Sequence, residues 1–277
     1  MVYVLYAYKP SPTIALVAAA LFGASAIYHL ITMFRKKTYF YTAMVVGGFM
    51  MTAGYAFRYL SAKNTSSVML YSCQSLFIIL PPSLYAATIY MIYGRIVLFV
   101  NAPSASVISP KNVTKIFVGG DVVSFLMQSG GGGMMSTASM TSIGEKVIVG
   151  GLLVQLLFFS IFLVIAITFE RRMRSHPRAF DTPASGKKHW HKLLMLLFAA
   201  AVLIIVRCVY RVIEFSQGST GTLMSHEYYM YFMDTAQMLI VQCMFHFVHA
   251  GDVFEYGVDP KKAALMGDNN YIGLNEV

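Results

Sequence analysis

Charged side chains are scarce in this sequence. Asp, Glu, Lys and Arg make up 12% of the 277 residues, whereas 57% are hydrophobic. A soluble domain is normally about one-quarter charged, so the composition excludes an ordinary soluble fold and indicates a polytopic membrane protein. The net charge of +9 does not indicate nucleic-acid binding, because the basic residues flank apolar runs, where they orient spans and contact anionic lipid.

Cysteine is also scarce, and the common catalytic motifs are missing. Cys73, Cys208 and Cys243 fall within apolar runs and show no pairing pattern, so no disulfide framework is expected. The sequence contains no phosphate-binding loop, CxxC motif or nucleophile elbow. These absences argue against ATP-driven transport and serine hydrolysis, and they favour a membrane protein without a cofactor over an enzyme.

Seven apolar segments are long enough to cross a bilayer, which takes about 20 residues. They cover residues 12–34, 39–61, 68–100, 114–136, 146–170, 193–214 and 227–250. We therefore predict an all-α membrane protein whose single domain, residues 1–250, is a seven-transmembrane helical bundle followed by a cytoplasmic tail, residues 251–277. Pro81 and Pro82 lie within the third segment and should bend it.

The distribution of lysine and arginine predicts the orientation of the bundle. With the N-terminus outside, 15 basic residues fall in cytoplasmic stretches and 4 in outer stretches. The excess of basic residues on one side predicts an outer N-terminus and a cytoplasmic C-terminus. Asn64 begins a glycosylation sequon in an outer connection, where its closeness to the membrane works against modification.

A cluster of charges interrupts the sixth segment. Arg207, Arg211 and Glu214 are four and three positions apart, so they share one helix face. Each charge at membrane depth costs about 2.5–3.5 kcal/mol on insertion scales, so partners must compensate for them. The candidate partners in the outer halves of other segments are Arg58, Gln74, Glu227 and Asp234, and Tyr210 lies beside the cluster on the sixth segment itself, where it is a candidate ligand contact. The cluster forms either an outward-facing substrate pocket or a network that only locks the last two helices together.

The fourth segment carries two further polar side chains and two glycine runs. Asp121 and Gln128 are seven positions apart and share a face, with Asp121 in the inner half. Asp121 is a candidate gate, a proton-binding carboxylate or a bond to a neighbouring helix. The glycines at 119–120 and 130–133 favour close helix packing, and a homodimer through this segment is a further possibility.

Histidines near the predicted cytoplasmic side suggest a metal site as an alternative. Ser25 and His29 are four apart on the first segment, and His246 and His249 are three apart on the last. Together with Asp121 they are candidate ligands of Zn²⁺ with an open position for activated water. The pattern resembles the membrane hydrolases of the alkaline ceramidase and progestin-receptor superfamily, although that family spaces its last pair His-x3-His. Hydrogen-bonding anchors are the alternative interpretation of these histidines.

An ordered series of motifs resembles the fungal RTA-like proteins, also called the lipid-translocating exporter family, over nearly the whole chain. The series comprises Tyr8-Lys-Pro10-Ser11, Gly54-Tyr55-Ala-Phe-Arg58, Gln74 with Pro81-Pro82, Asp121-x2-Ser124-x3-Gln128, Arg207-x2-Tyr210-Arg211-x2-Glu214-x3-Gly218, Glu227 with Tyr231 and Asp234, and His249-Ala-Gly251. The chain departs from the family at Ala53, where an acidic residue is usual, and at Ala250, where the family has proline.

The resemblance implies a seven-helix plasma-membrane protein that moves amphiphiles or confers resistance to them. Our main interpretation is a floppase-like exporter of amphiphilic lipids such as sphingoid long-chain bases. The expected substrate-binding residues are Arg58, Gln74, Asp121, Gln128, Arg207, Tyr210, Arg211, Glu214, Glu227 and Asp234. The alternatives are a seven-helix lipid sensor, a zinc-dependent lipid hydrolase, and haem or porphyrin binding or transport by His29, His246 or His249.

Overall fold

The computed structural model describes residues 6, 8, 10–100, 102–135, 139–175, 190–217 and 221–255. The predicted tail beyond residue 255, the middle of the basic connection between the fifth and sixth segments, and Gly218 lie outside these residues. Every regular element within them is helical.

Ten α-helices follow one another along the described chain. They are α1 (Pro12–Arg35), α2 (Thr42–Lys63), α3 (Val68–Ile79), α4 (Pro81–Phe99), α5 (Pro110–Met135), α6 (Thr141–Ser175), α7 (Trp190–Ser216), α8 (Glu227–Met230), α9 (Gln237–Phe247) and α10 (Ala250–Glu255). A π-helical segment, Tyr231–Ala236, joins α8 to α9. Because α3 with α4, and α8 with α9, each make one continuous passage, α1 to α9 form seven segments, and the short α10 follows the last of them. The predicted all-α membrane fold is confirmed.

Five of these segments meet a strict length and hydropathy criterion for crossing a membrane: Pro12–Arg35, Tyr39–Lys63, Val68–Phe99, Thr141–Ser175 and Trp190–Ser216. The other two are α5 and the passage from α8 to α9. α5 is diluted by its glycines and by Asp121, and the last passage is broken into short pieces and carries Glu227 and Asp234. Both segments contain polar side chains in place of apolar ones, which is typical of membrane helices that line a functional site.

The outer surface of the bundle is apolar, as expected of helices surrounded by lipid. Large hydrophobic side chains such as Leu126, Val164 and Phe232 are 63%, 63% and 69% exposed. Polar and charged side chains are instead found inside, where Arg207 and Asp234 are 0% exposed. A water-soluble protein has the opposite arrangement, so this distribution fits an integral membrane protein.

The third segment breaks at Leu80, between α3 and α4. Pro81 and Pro82 occupy the first two positions of α4, where proline is tolerated because those N–H groups have no intrahelical acceptor. The prolines therefore end α3 and begin α4 with a change of direction. As a result, carbonyls at the end of α3 lack their usual partners from the following turn.

Glycine permits the close contact between α5 and α6. A Cβ atom on Gly131 would lie 2.7 Å from the carbonyl oxygen of Gly144, and one on Gly144 would lie 2.6 Å from that of Gly131. Gly120 and Gly151 likewise face Phe158 and Met127 without room for a larger side chain. The predicted close packing thus takes place within one chain, which already accounts for part of the glycine content that suggested a homodimer.

This contact predicts opposite effects for two neighbouring glycines. Gly131→Ala should destabilise the protein by about 1–3 kcal/mol, because the methyl group overpacks a rigid backbone contact. Gly130→Ala is the matched control, since nothing lies within 4 Å of its Cβ position and alanine favours the helix. Thermal unfolding of the purified protein in detergent measures both. A Gly131→Ala variant as stable as Gly130→Ala would show that the two helices separate easily.

Candidate functional site

Two arginines of α7 share one carboxylate from the last segment. Arg207 donates from Nε to Oδ1 of Asp234 at 2.5 Å, and Arg211 donates from Nη2 to Oδ2 of the same side chain. Arg211 also donates from Nη1 to Oε2 of Glu214 at 2.8 Å, and the Tyr210 hydroxyl donates to Oε1 at 2.9 Å. Two positive and two negative charges therefore cancel inside the bundle, as burial at this depth requires.

The proline break supplies a further partner for Arg207. Pro82 has no N–H, so the carbonyl of Ile78, four residues earlier, has no donor from the following turn. Arg207 fills that role by donating from Nη2 to the Ile78 oxygen at 3.2 Å. The ion-pair network is consequently attached to the end of α3 as well as to the last segment.

The π-helical segment presents Asp234 to the arginines. Such segments insert an extra residue into a helical turn and are frequent at functional sites. Within this one, the Thr235 hydroxyl donates to the Met230 carbonyl at 3.3 Å and lies 2.5 Å from the hydroxyl of Tyr55 on α2. These contacts fix the widened turn in which Asp234 lies.

A second ion pair attaches the N-terminal residues to the bundle. Arg58 donates from Nη2 to Oε1 of Glu227 at 2.9 Å and to the Tyr8 hydroxyl at 2.8 Å. The backbone N–H of Ser11 reaches both oxygens of Glu227, at 3.1 and 3.0 Å, and Arg58 Nε donates to the Tyr231 hydroxyl at 3.2 Å. The start of α1 is thus held against α2 and α8.

A cavity of about 750 Å³ opens beside these networks. Its volume is within the usual range for a small-molecule site, about 300–1,000 Å³. Five of the predicted substrate-binding residues line it: Arg58, Gln74, Gln128, Arg211 and Glu214. Arg207, Tyr210, Glu227 and Asp234 do not line it and instead hold the lining residues in place. The structure therefore divides the predicted set into a lining group and a supporting group.

Glu145 is a pocket residue that the sequence reasoning did not identify. It lines the cavity from the first turns of α6 and makes no ion pair with any residue that the structure describes. The predicted span began at residue 146, so Glu145 was assigned to a connection. Its spacing of three from buried Ile148 and seven from buried Leu152 is the helical signal that would have placed it on the inner face.

Two glutamines offer unused acceptors to the same cavity. The Oε1 atoms of Gln74 and Gln128 are buried and accept no hydrogen bond from the described part of the chain. Gln128 is held by its Nε2, which donates to Oε1 of Gln155 at 3.0 Å, and Gln155 donates in turn to Ser83 at 3.2 Å. Buried polar atoms normally have a partner, so these two oxygens are available to a ligand.

Asp121 lies apart from the cavity, although it was predicted as a binding residue. Its side chain is 3% exposed and does not line the cavity. It lies near the Tyr90 hydroxyl of α4, yet neither side chain makes a hydrogen bond of normal geometry with a described residue. The structure brings Gln128 to the pocket and leaves Asp121 deeper in the bundle.

The candidate metal ligands are only partly brought together, since the ring centroids of His29 and His246 are 4.5 Å apart. Ser25 Oγ lies 3.0 Å from Nε2 of His246, His29 Nε2 donates to the Gln242 carbonyl at 2.9 Å, and His249 Nδ1 accepts from the Gly251 N–H at 3.1 Å. Among the described residues, no three His, Cys, Asp or Glu side chains are grouped so that they could hold one metal ion. These hydrogen bonds fit the alternative interpretation of the histidines as hydrogen-bonding anchors.

Comparison with known proteins places the chain among fungal membrane proteins. A family model described as "RTA1 like protein" matches residues 44–256. Protein RTM1 of Saccharomyces cerevisiae is 36% identical over 199 residues, which cover 72% of this chain and 63% of that protein. Protoporphyrin uptake protein 1 of the same species is 37% identical over 195 residues, 70% of this chain and 63% of that protein.

A third relative is named for a lipid substrate. The sphingoid long-chain base transporter RSB1 of Saccharomyces cerevisiae is 23% identical over 268 residues, covering 85% of this chain and 70% of that protein. The matches to RTM1 and to protoporphyrin uptake protein 1 span less than two-thirds of those proteins. No solved structure matches the chain at a significant level.

The shared carboxylate predicts a large loss of stability when its charge is removed. Asp234→Asn should destabilise the fold by about 3–5 kcal/mol, because two buried guanidinium groups lose their common partner. Asp252→Asn is the control, since Asp252 forms an ion pair with Lys36 but is 53% exposed and such pairs contribute about 0–1 kcal/mol. Thermal unfolding in detergent compares them, and equal stability of the two variants would contradict the assigned network.

Proposed function

This chain belongs to the RTA1-like protein family, and on that premise we propose that it exports cationic amphiphilic lipids of the sphingoid-base class from one membrane leaflet to the other. The lipid headgroup binds in the cavity of about 750 Å³ beside α7. The name of the relative RSB1, a sphingoid long-chain base transporter, supports a lipid substrate.

The observation that carries the proposal is the chemistry left unused in the cavity. Its two arginines, Arg58 and Arg211, already form ion pairs with carboxylates. Glu145 has no such partner in the described chain, and the side-chain oxygens of Gln74 and Gln128 accept nothing. A negative charge with two free acceptors complements an ammonium group that also carries hydroxyl donors.

The remainder of the cavity suits an apolar tail. Much of its lining is aliphatic or aromatic, including Tyr71, Leu76, Ile79, Ile148 and Met224. α3 contributes Tyr71, Leu76 and Ile79, and Arg207 of the ion-pair network holds the end of this helix at the Ile78 carbonyl. In this proposal the headgroup contacts Glu145, Gln74 and Gln128, and the hydrocarbon chain lies along α3.

A porphyrin is the second candidate substrate, because protoporphyrin uptake protein 1 is 37% identical over 70% of this chain. A porphyrin would bring carboxylates into the cavity, and these require free cations. The pairing of Arg58 and Arg211 and the unpaired Glu145 favour the cationic lipid. Titration with protoporphyrin, followed by its absorbance, compares the two ligands directly.

The decisive experiment measures movement of a fluorescent sphingoid base in proteoliposomes at equal pH on both sides. Wild-type protein should accelerate its exchange between leaflets beyond the rate in protein-free liposomes. Glu145→Gln should weaken binding about 10- to 100-fold, since hydrogen bonds to a charged group contribute about 1.5–3 kcal/mol. Glu145 does not take part in the described ion pairs, so the variant should remain folded.

An uncharged ligand provides the control for this experiment. An N-acetylated base of the same chain length lacks the ammonium group, so Glu145→Gln should leave its affinity unchanged. Saturable binding without accelerated movement would indicate a lipid sensor. If wild type and Glu145→Gln bind the charged base equally, the assignment of the headgroup to this cavity is wrong.

We further propose that the N-terminus is outside and the C-terminus cytoplasmic, in the plasma membrane, so that the cavity opens outward. The excess of basic residues in the connections predicted to be cytoplasmic supports this orientation. In intact cells, antibodies should reach an epitope tag at the N-terminus, and a tag at the C-terminus should need permeabilisation. The reverse pattern would make the cavity open to the cytoplasm and would favour uptake over export.

A further inference from the structure

Asp121 is a buried carboxylate that the binding site leaves unused. It is 3% exposed, and neither of its oxygens has a hydrogen-bond partner among the residues that the structure describes. The other buried acidic side chains around the cavity, Glu214 and Asp234, each contact an arginine. Among the buried acidic side chains that the structure describes, Asp121 is therefore the one without a cation partner.

The described residues around it offer hydroxyl and thiol groups but no cation. Tyr90 faces it from α4, and Cys208 lies within electrostatic range of it on α7. From α6, the rings of Phe158, Phe159 and Phe162 pack around Gly120 and Tyr90. Tyr90 and Cys208 are thus the titratable groups that the described helices direct toward Asp121.

An unpaired charge in this position is strongly unfavourable, because the side chain is buried and no described cation pairs with it. The carboxyl group avoids that penalty when it carries a proton. Conversely, it can release the proton only when a conformation gives it water or a cation. A single carboxyl with these two states has the physical property that a proton-coupled carrier needs.

We propose that Asp121 is the proton-binding residue that couples this chain to a proton gradient, with one proton exchanged for one cationic headgroup. The proposal rests on the export function proposed above. In the step itself, the carboxylate binds a proton from one side of the membrane and releases it to the other, and no other bond forms or breaks.

The structure provides a short connection between Asp121 and the headgroup cavity. Ser124 and Gln128 follow on the same face of α5, and Gln128 lines the cavity. Seven residues of α-helix place Asp121 about 10 Å below that glutamine. On α7, Cys208 lies near both Asp121 and Asp234 and directly follows Arg207 of the ion-pair network.

The experiment drives transport with a pH gradient and uses a probe that cannot cross as a neutral amine. Fluorescent N,N,N-trimethylsphingosine has a fixed positive charge, so its distribution does not follow pH without a carrier. In wild-type proteoliposomes, a gradient of about one pH unit should shift its leaflet ratio about tenfold at one-for-one exchange. Asp121→Asn should lose that shift yet still exchange labelled for unlabelled probe at equal pH.

Asp252→Asn is the matched control, because that carboxylate is on α10, is 53% exposed and pairs with Lys36. It should respond to the gradient as wild type does. If Asp121→Asn also responds as wild type does, Asp121 is not the coupling residue. If wild-type exchange is unaffected by the gradient, coupling to protons is wrong although export stands.

A measurement without lipid movement separates this inference from the export function. Infrared difference spectra of the purified protein at acidic and alkaline pH should contain the band of a buried protonated carboxyl, absent in Asp121→Asn and retained in Asp252→Asn. A band that persists in Asp121→Asn, or no band in wild type, would overturn the assignment even if no probe were transported. Absence of transport with a band that depends on Asp121 would refute export alone.

Discussion

The Asp234 carboxylate, shared by Arg207 and Arg211, is the interaction on which the arrangement of this bundle depends. Both arginines are on α7, and Asp234 is in the π-helical turn of the last segment. Arg207 extends the network to α3, and Arg211 extends it to Glu214 and the cavity. Because none of these charges can be left alone in the membrane interior, α7, the last segment and α3 hold one another in position.

This compensation is also the basis for the cationic ligand proposed for the cavity. Charges that hold helices together are unavailable to a ligand, since their hydrogen bonds are already made. What remains for recognition is the smaller set that the network does not use, namely Glu145 and the oxygens of Gln74 and Gln128. The number of charges near the cavity fits an anionic ligand as well as a cationic one. The ion pairs that occupy Arg58 and Arg211 favour a cationic ligand.

Much of the fold followed from the sequence because membrane constraints are strong and simple. Segment length and hydropathy predicted the helical segments, and the i, i+4, i+7 spacing placed Arg207, Arg211 and Glu214 on one face. Three features escaped this reasoning. Whether a charged side chain lines the cavity or only holds a lining residue in place depends on distances that the sequence does not contain. The π turn has no clear sequence signal. Glu145 lay one residue outside the predicted fifth segment.

The hydrogen bond from Arg207 to the Ile78 carbonyl joins two positions that are 129 residues apart. Proline at 82 without arginine at 207 would leave a carbonyl orphaned in the membrane, and arginine without proline would face a carbonyl already occupied by its own helix. Lysine cannot replace the arginine, because only the guanidinium reaches the Asp234 carboxylate and the carbonyl with separate nitrogens. In descendants of this chain, Pro82 and Arg207 should therefore change together or not at all.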